Sequence, residues 1–249
     1  MKKMIGIILL GIILTACEYD NYNPPECFFQ GYLTYNGEPF LYDGSPSVPV
    51  LRLYQEGFGL EDGGQVARIN EEGFFSHLLF AGDYKLTLQN VLYPFEFDDF
   101  SSLGTGLGYD TLAINITGDM ERNFEITPYF TLSNVSAVVS GNDIVATFNV
   151  TAVDDPSLEN PTPNVIRARI YLNVTPLVNS NTLANRAVDV APFNTGTQQL
   201  SVSLPAISYR ERYTNNFKTY GWVRVAVELE GIPNYYLFSE IIYLDGIPL

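Results

Sequence analysis

The sequence predicts an all-β protein built from two β-sandwich domains in tandem, and three features carry that prediction. Apolar and polar residues alternate with a period of two along most of the chain. No long window shows the 3.6-residue spacing of an amphipathic helix, and Gly, Pro, Asn and Asp punctuate the apolar runs at short intervals. A break falls at "EITPYFTL", where Pro128 separates two strand-like patterns and reads as a short interdomain linker rather than a strand interior.

Ahead of the first domain, residues 1–16 have the three parts of a secretory signal peptide. Lys2 and Lys3 supply the positive start, and residues 4–14 form an apolar core too short to span a bilayer. The close, Leu14-Thr15-Ala16-Cys17, resembles the lipobox of bacterial lipoproteins. That resemblance implies cleavage before Cys17 and acylation of Cys17. Several acyl chains make a firm anchor where one alone is marginal. Residues 17–27, with "EYDNYNPPE", then have the polar, proline-containing composition of a tether.

The first domain is expected over 28–127. Tyr84, Leu86 and Leu88 share one strand face, as do Leu112, Ile114 and Ile116. Gly31 with "YNGEPF", then "VPVLRLYQEG", Gly73-Phe74 and Gly82-Asp83-Tyr84-Lys85-Leu86 follow in a spacing that resembles the carboxypeptidase-regulatory-like, or transthyretin-like, β-sandwich. The departure from that pattern is an insertion over 93–110, "YPFEFDDFSSLGTGLGYD". A loop of this length and composition reads as functional or mobile.

The second domain is expected over 129–249. Strand candidates are 135–139, 144–150, 165–174, 200–204, 221–229 and 237–244, separated by the loops "VDDPSLENPTPN" and "VNSNTLANRAVDVAPFNTGTQQ". Six or seven short strands in this length predict an immunoglobulin-like sandwich. "WVRVAVELEG" is similar to a late strand of fibronectin type III domains.

Composition narrows the function. The formal charge of −15 becomes −17 once the two leader lysines are removed. So acidic a chain has little affinity for nucleic-acid phosphates or anionic headgroups. With Cys17 committed to the anchor, Cys27 has no disulfide partner within the chain and reads as a small apolar residue at the first strand. The single histidine, His77, lies in an alternating strand, and no serine sits in a G-x-S-x-G elbow. One histidine and one thiol cannot furnish an ordinary zinc site, and no phosphate-cradling loop is present, so no cofactor is implied. The acid pairs Asp98-Asp99 and Asp154-Asp155 read as solvated loops. A carboxylate-pair hydrolase would need two acids facing across a cleft.

Binding has more support. In "TYGWVRVAVELEG", Val223, Val225 and Val227 fall on one face, and Trp222, Arg224 and Glu228 on the other, with Tyr220 preceding them. The two charges predict that this second face points outward. Trp222 and Tyr220 then offer a stacking platform for a sugar ring, with Arg224 as hydroxyl donor. Tyr235 and Tyr236 in "PNYYLF" join them if the two strands form a hairpin. The other reading is that Trp222 is covered by a loop or by the first domain and plugs a seam.

Taken together, the lipobox, Glu18 and Asp20 after it, "GDYKL", "TPYF" and "YYLFSEIIYL" resemble a family of Bacteroidetes-type outer-membrane lipoproteins with no assigned activity. Their genes lie beside Sus-like pairs of a glycan-binding lipoprotein and a TonB-dependent transporter. The resemblance implies a lipid-anchored, cell-surface, non-catalytic accessory that binds a polysaccharide or oligosaccharide. The rival is an interaction protein docking on an outer-membrane transporter through the 93–110 insertion and exposed aromatics, without glycan recognition.

Overall fold

Alternation along "CFFQGYLTY" places Cys27, Phe29, Gly31 and Leu33 on one face of a strand and sends the residues between them outward, and this strand organises the first half of the molecule. The computed structural model describes residues 24–48, 50–55, 64–90, 92–103, 109–182, 184–213 and 218–248. Residues 1–23, which hold the expected signal peptide, Cys17 and most of the expected tether, lie outside the described residues, as do residues 104–108 of the insertion.

The first half contains β1 (Cys27–Tyr35), β2 (Glu38–Pro39), β3 (Leu51–Gln55), β4 (Gln65–Ala67), β5 (Phe74–Leu79), β6 (Gly82–Leu88), β7 (Phe95–Phe97), β8 (Leu112–Ile116), β9 (Met120–Glu121) and β10 (Phe124–Pro128). One sheet is centred on β1, which pairs antiparallel with β2 and β5 and parallel with β9 and β10; β7 extends it beyond β10. The second sheet runs β4-β3-β6-β8. Asn36 and Gly37 both take positive φ, the two-residue turn that matches strand twist, and fold β2 back on β1. Gly31 has a packing reason: a Cβ there would collide with the carbonyl of Arg122 in the segment crossing above β1. Phe29, Leu33, Leu51, Leu86, Ile116 and Phe124 are among the side chains that fill the space between the sheets.

The second half contains β11 (Phe130–Ser140), β12 (Asp143–Ala152), β13 (Val165–Asn173), β14 (Ala184–Phe193), β15 (Thr197–Pro205), a short helix α1 (Ala206–Tyr213), β16 (Gly221–Leu229), β17 (Tyr236–Phe238) and β18 (Ile242–Leu244). Sheet β11-β12-β15 faces sheet β14-β13-β16, to whose free edge β17 and β18 both add. Ile144, Phe148, Ile170, Leu204, Val223, Val225 and Val227 lie in the core between them. The all-β, two-sandwich architecture is thus the one the alternation predicts.

Several local expectations need correction. Residues 184–193, assigned to a loop, form β14, an edge strand whose "ANRAVDVAPF" is poor in strand-forming side chains and carries Pro192 near its end. Residues 206–213 form α1 after Pro205; Tyr209 anchors it in the core and donates to the Tyr220 carbonyl at 2.7 Å. The strand expected over 237–244 is two short strands, interrupted where Ser239 turns its hydroxyl to the Glu240 carbonyl at 2.7 Å. Pro128 is the last residue of β10, paired with Phe95, so only Tyr129 separates β10 from β11 and no distinct linker exists.

The insertion is corrected as well. Tyr93, Phe95, Phe97 and Phe100 are buried, with Tyr93 stacked on Phe95 at 5.6 Å between ring centroids. The described aromatic residues at its start are core and sheet edge, not a presented interface. His77 is bonded through Nε2 to Gln65 Oε1 at 2.9 Å, and burial lowers its pKa. Cys27 is a buried free thiol.

Candidate functional site

Strand β16 divides its side chains as parity requires. Val223, Val225 and Val227 enter the core, and Trp222, Arg224, Ala226 and Glu228 take the opposite face. That opposite face is not uniformly open. Its middle is covered by the first half of the molecule, and its two ends differ in chemistry.

Arg224 occupies the covered middle and is completely inaccessible, which corrects its expected role as an exposed hydroxyl donor. Its Nε donates to the Ser239 carbonyl at 2.6 Å and Nη1 to those of Val178 and Asp43 at 3.4 and 3.5 Å. Nη2 donates to the Glu71 carbonyl at 3.2 Å, and the guanidinium lies 4.5 Å from the centre of the Phe238 ring. Asp43 and Glu71 belong to the first domain, so one side chain stitches both halves together. Burial pushes the guanidinium pKa down to about 10, with Asp43 and Glu71 opposing the shift. A charge on an alternating strand signalled solvent; here backbone carbonyls from four segments replace solvent.

At the far end of β16, Glu228 is mostly buried and accepts from Arg167 Nη1 at 3.2 Å and Arg169 Nη2 at 2.7 Å. Tyr236 pairs across from Glu228 and stacks under Arg169 at 4.9 Å. Six residues separate Trp222 from Glu228, about 20 Å of strand. Tyr236 is therefore not beside Trp222. Tyr235 is farther from that role, since it reaches into the seam and meets Tyr93 edge-on at 5.0 Å.

At the near end the arrangement is different. Gly221, Trp222 and Val223 pair with Leu244, Tyr243 and Ile242 of β18. Cross-strand pairing puts Trp222 against Tyr243 at 5.4 Å and 66°, and Tyr220 closes the group at 5.8 Å from Trp222 and 6.1 Å from Tyr243. Tyr243 is 56% exposed, while Trp222 and Tyr220 are half-buried, the inner edge of Trp222 packing beside Tyr171, Val178, Ala226 and Phe238. Lys218 holds its ammonium 5.3 Å from the Tyr220 ring centre, and exposed Asp245 follows β18. Three clustered rings with a cation at the edge can receive the C–H face of a sugar while charged groups meet its hydroxyls.

Of the residues expected here, then, the structure brings together Trp222 and Tyr220, and places Arg224, Tyr235 and Tyr236 elsewhere. Tyr243 is the member that strand reasoning missed. Its signal was available in "IIYL", where Tyr243 is the large aromatic among aliphatic residues. Among the described residues no group of three or more His, Cys, Asp or Glu is placed to hold a metal ion.

Comparison with known proteins bears on the whole chain. The DUF3823 N-terminal domain, from a protein of unknown function, matches residues 27–127, and the DUF3823_C domain of unknown function matches residues 130–242. No curated protein matches the chain. A crystal structure of a DUF3823 family protein from Parabacteroides merdae is 24% identical over 90% of this chain and 100% of its own, with a TM-score of 0.66. One from Bacteroides ovatus is 22% identical over 90% of this chain and 100% of its own, with a TM-score of 0.60. A "putative carbohydrate binding protein" from Bacteroides uniformis is 14% identical over 89% of this chain and 99% of its own, with a TM-score of 0.61. These likenesses are likenesses of fold, and the two domain matches together span most of the sequence: the chain belongs to the DUF3823 family.

Proposed function

We propose that the protein is a non-catalytic, lipid-anchored surface protein that binds a polysaccharide or oligosaccharide for a Sus-like uptake system. The observation that carries this reading is the ring cluster of Tyr220, Trp222 and Tyr243, in which Tyr243 is exposed and the other two rings are half-buried beside it. The fold likeness to the Bacteroides uniformis protein described as carbohydrate binding supports it. In this reading Cys17 carries the lipid, and the acidic body stays clear of anionic headgroups by charge repulsion.

The ligand is expected to lie on the ring cluster, with Lys218 and Asp245 addressing its hydroxyls. Trp222→Ala and Tyr243→Ala are each expected to weaken retention in affinity electrophoresis by tenfold or more, which corresponds to about 1.4 kcal/mol. Tyr243 is exposed, so its truncation should change thermal stability little, whereas Trp222→Ala also removes packing beside Tyr171, Val178, Ala226 and Phe238 and should lower it. Retention unchanged in both variants would remove the cluster from the binding surface.

The anchor has its own test. In cells fed a fatty-acid analogue, the wild-type chain is expected to take up label and Cys17→Ala to take up none. Equal labelling of the two would refute lipidation at Cys17.

A further inference from the structure

The described part of the 93–110 insertion carries Glu96, Asp98, Asp99 and Asp110, the loop over 153–164 carries Asp154, Asp155 and Glu159, and the fold brings the two segments to one place. Between them, at the junction of the domains, lies a cleft of about 250 Å³. Its apolar floor is Phe97 and Phe100, and its wall includes Tyr109, Ser101, Asp98 and Glu159. At roughly 30 Å³ per water, that space holds about eight waters, a volume fit for a small polar ligand and too small for a protein segment.

Thr127 and Ser157 in the wall bond each other at 3.3 Å, but other polar groups of the wall are not consumed by the fold. The Tyr109 hydroxyl and the carboxylates of Asp98 and Glu159 make no hydrogen bond with other described residues. Glu96 differs: its carboxylate accepts from Tyr129, from the amide N–H groups of Glu159 and Asn160, and from Asn160 Nδ2, at 2.7–3.0 Å. Those bonds tie the two walls of the cleft together through a buried side chain. The same carboxylate, with Glu159, adds to burial in pushing the Tyr109 phenol up to about 12, so it stays a neutral donor at physiological pH. Burial first, then Glu125, Asp99 and Asp155, raise Asp98.

We infer that this junction cleft is a second binding site, a pocket for one residue of an uncharged saccharide. Sugar hydroxyls donate well to carboxylates such as Asp98 and Glu159, and the Tyr109 hydroxyl donates to a sugar oxygen. The edges of Phe97 and Phe100 that line the cleft, on rings otherwise buried, meet the apolar face of the sugar. The surrounding carboxylates repel uronates and sulfated sugars. The inference rests on the reading of the protein as glycan-binding, and not on the Trp222 cluster, which lies on another part of the molecule.

The experiment uses the full-length protein in detergent micelles on an array of neutral and acidic oligosaccharides, followed by calorimetry with the best neutral probe. Wild type is expected to bind neutral probes at two sites per chain. Tyr109→Phe, which keeps the ring and its packing, is expected to abolish one site or weaken it at least tenfold, with Asp98→Asn acting in the same direction. Trp222→Ala should leave the junction site intact. Binding abolished by Trp222→Ala and unchanged in Tyr109→Phe and Asp98→Asn would overturn the junction site and leave the ring cluster standing. Preference for acidic probes at the junction, or release of product from any probe, would likewise overturn it. Failure of wild type to bind any probe would overturn both sites.

Discussion

Arg224→Met is expected to destabilise the protein by about 3–5 kcal/mol, the cost of removing one member of a buried polar constellation. The substitution keeps an unbranched apolar side chain and deletes the donors together with the guanidinium that faces Phe238. Four carbonyl groups, on Asp43, Glu71, Val178 and Ser239, are then left buried without the guanidinium they share. For a chain of this size the loss corresponds to roughly 10 °C in melting temperature. Arg224→Lys should recover only part of it, since an ammonium cannot reach carbonyls spread around a planar fork. A melting temperature within a degree or two of wild type for Arg224→Met would show that the seam is held elsewhere.

The same variant has a predicted pH signature. Asp43 is buried with Oδ1 accepting from Ser180 N–H at 2.8 Å and Oδ2 unpartnered. Burial is the leading influence on its carboxyl and raises it from 3.8, with Ser180 and Arg224 opposing. A carboxyl raised in the folded state favours folding fully only below its unfolded value. That favour is lost as pH climbs through the folded value. Removing Arg224 lifts the folded value further, so the deficit of Arg224→Met should be smaller near pH 4 than at pH 7. Urea unfolding at the two pH values reads this directly, and an equal deficit at both would separate Asp43 from Arg224.

How much of this could be read from the amino acids depends on which interactions are local. The split of β16 into Val223, Val225 and Val227 against Trp222, Arg224 and Glu228 was legible, because parity is a property of one strand. What covers each face was not. Arg224 and Trp222 share a face two residues apart, yet one is sealed under Asp43 and Glu71 and the other is only half-buried. That difference arises from residues about 150 to 180 positions away, and no local pattern encodes it. Strand pairing was hidden for a similar reason. "PNYYLF" follows β16 directly and invites a hairpin, which forms, but it pairs Tyr236 with Glu228 at the wrong end. The partner of Trp222 comes from the next strand, after the interruption at Ser239. In the insertion, aromatic residues at 93, 95, 97 and 100 signalled burial as plainly as presentation; only the pairing of β7 with β10 decides between them.

The second large effect is expected at Glu96, and it tests whether the two sandwiches act as one body. Its carboxylate collects the Tyr129 hydroxyl at 2.8 Å, the N–H groups of Glu159 and Asn160 at 2.7 and 3.0 Å, and Asn160 Nδ2 at 2.8 Å. Glu96 stands on β7 in the first domain, Tyr129 at the crossover, and Glu159 and Asn160 in the second domain, so this group is one of the polar links between the two halves, alongside Arg224 and the Ser180–Asp43 bond. Glu96→Gln keeps shape and size but replaces one acceptor oxygen with an amide donor, which cannot satisfy the converging N–H groups, and it removes the charge that strengthens the rest. The expected loss is about 2–4 kcal/mol, against about 1 kcal/mol for Tyr129→Phe, which deletes a single bond. Because the freed donors sit in the 153–164 loop, amide exchange at Glu159 and Asn160 should accelerate in Glu96→Gln well before the β12 and β13 amides respond. Should those two amides keep wild-type protection while global stability falls, Glu96 would be supporting its own sheet, and the clamp between the domains would have to be assigned to Arg224 and the bonds around Asp43 and Glu71.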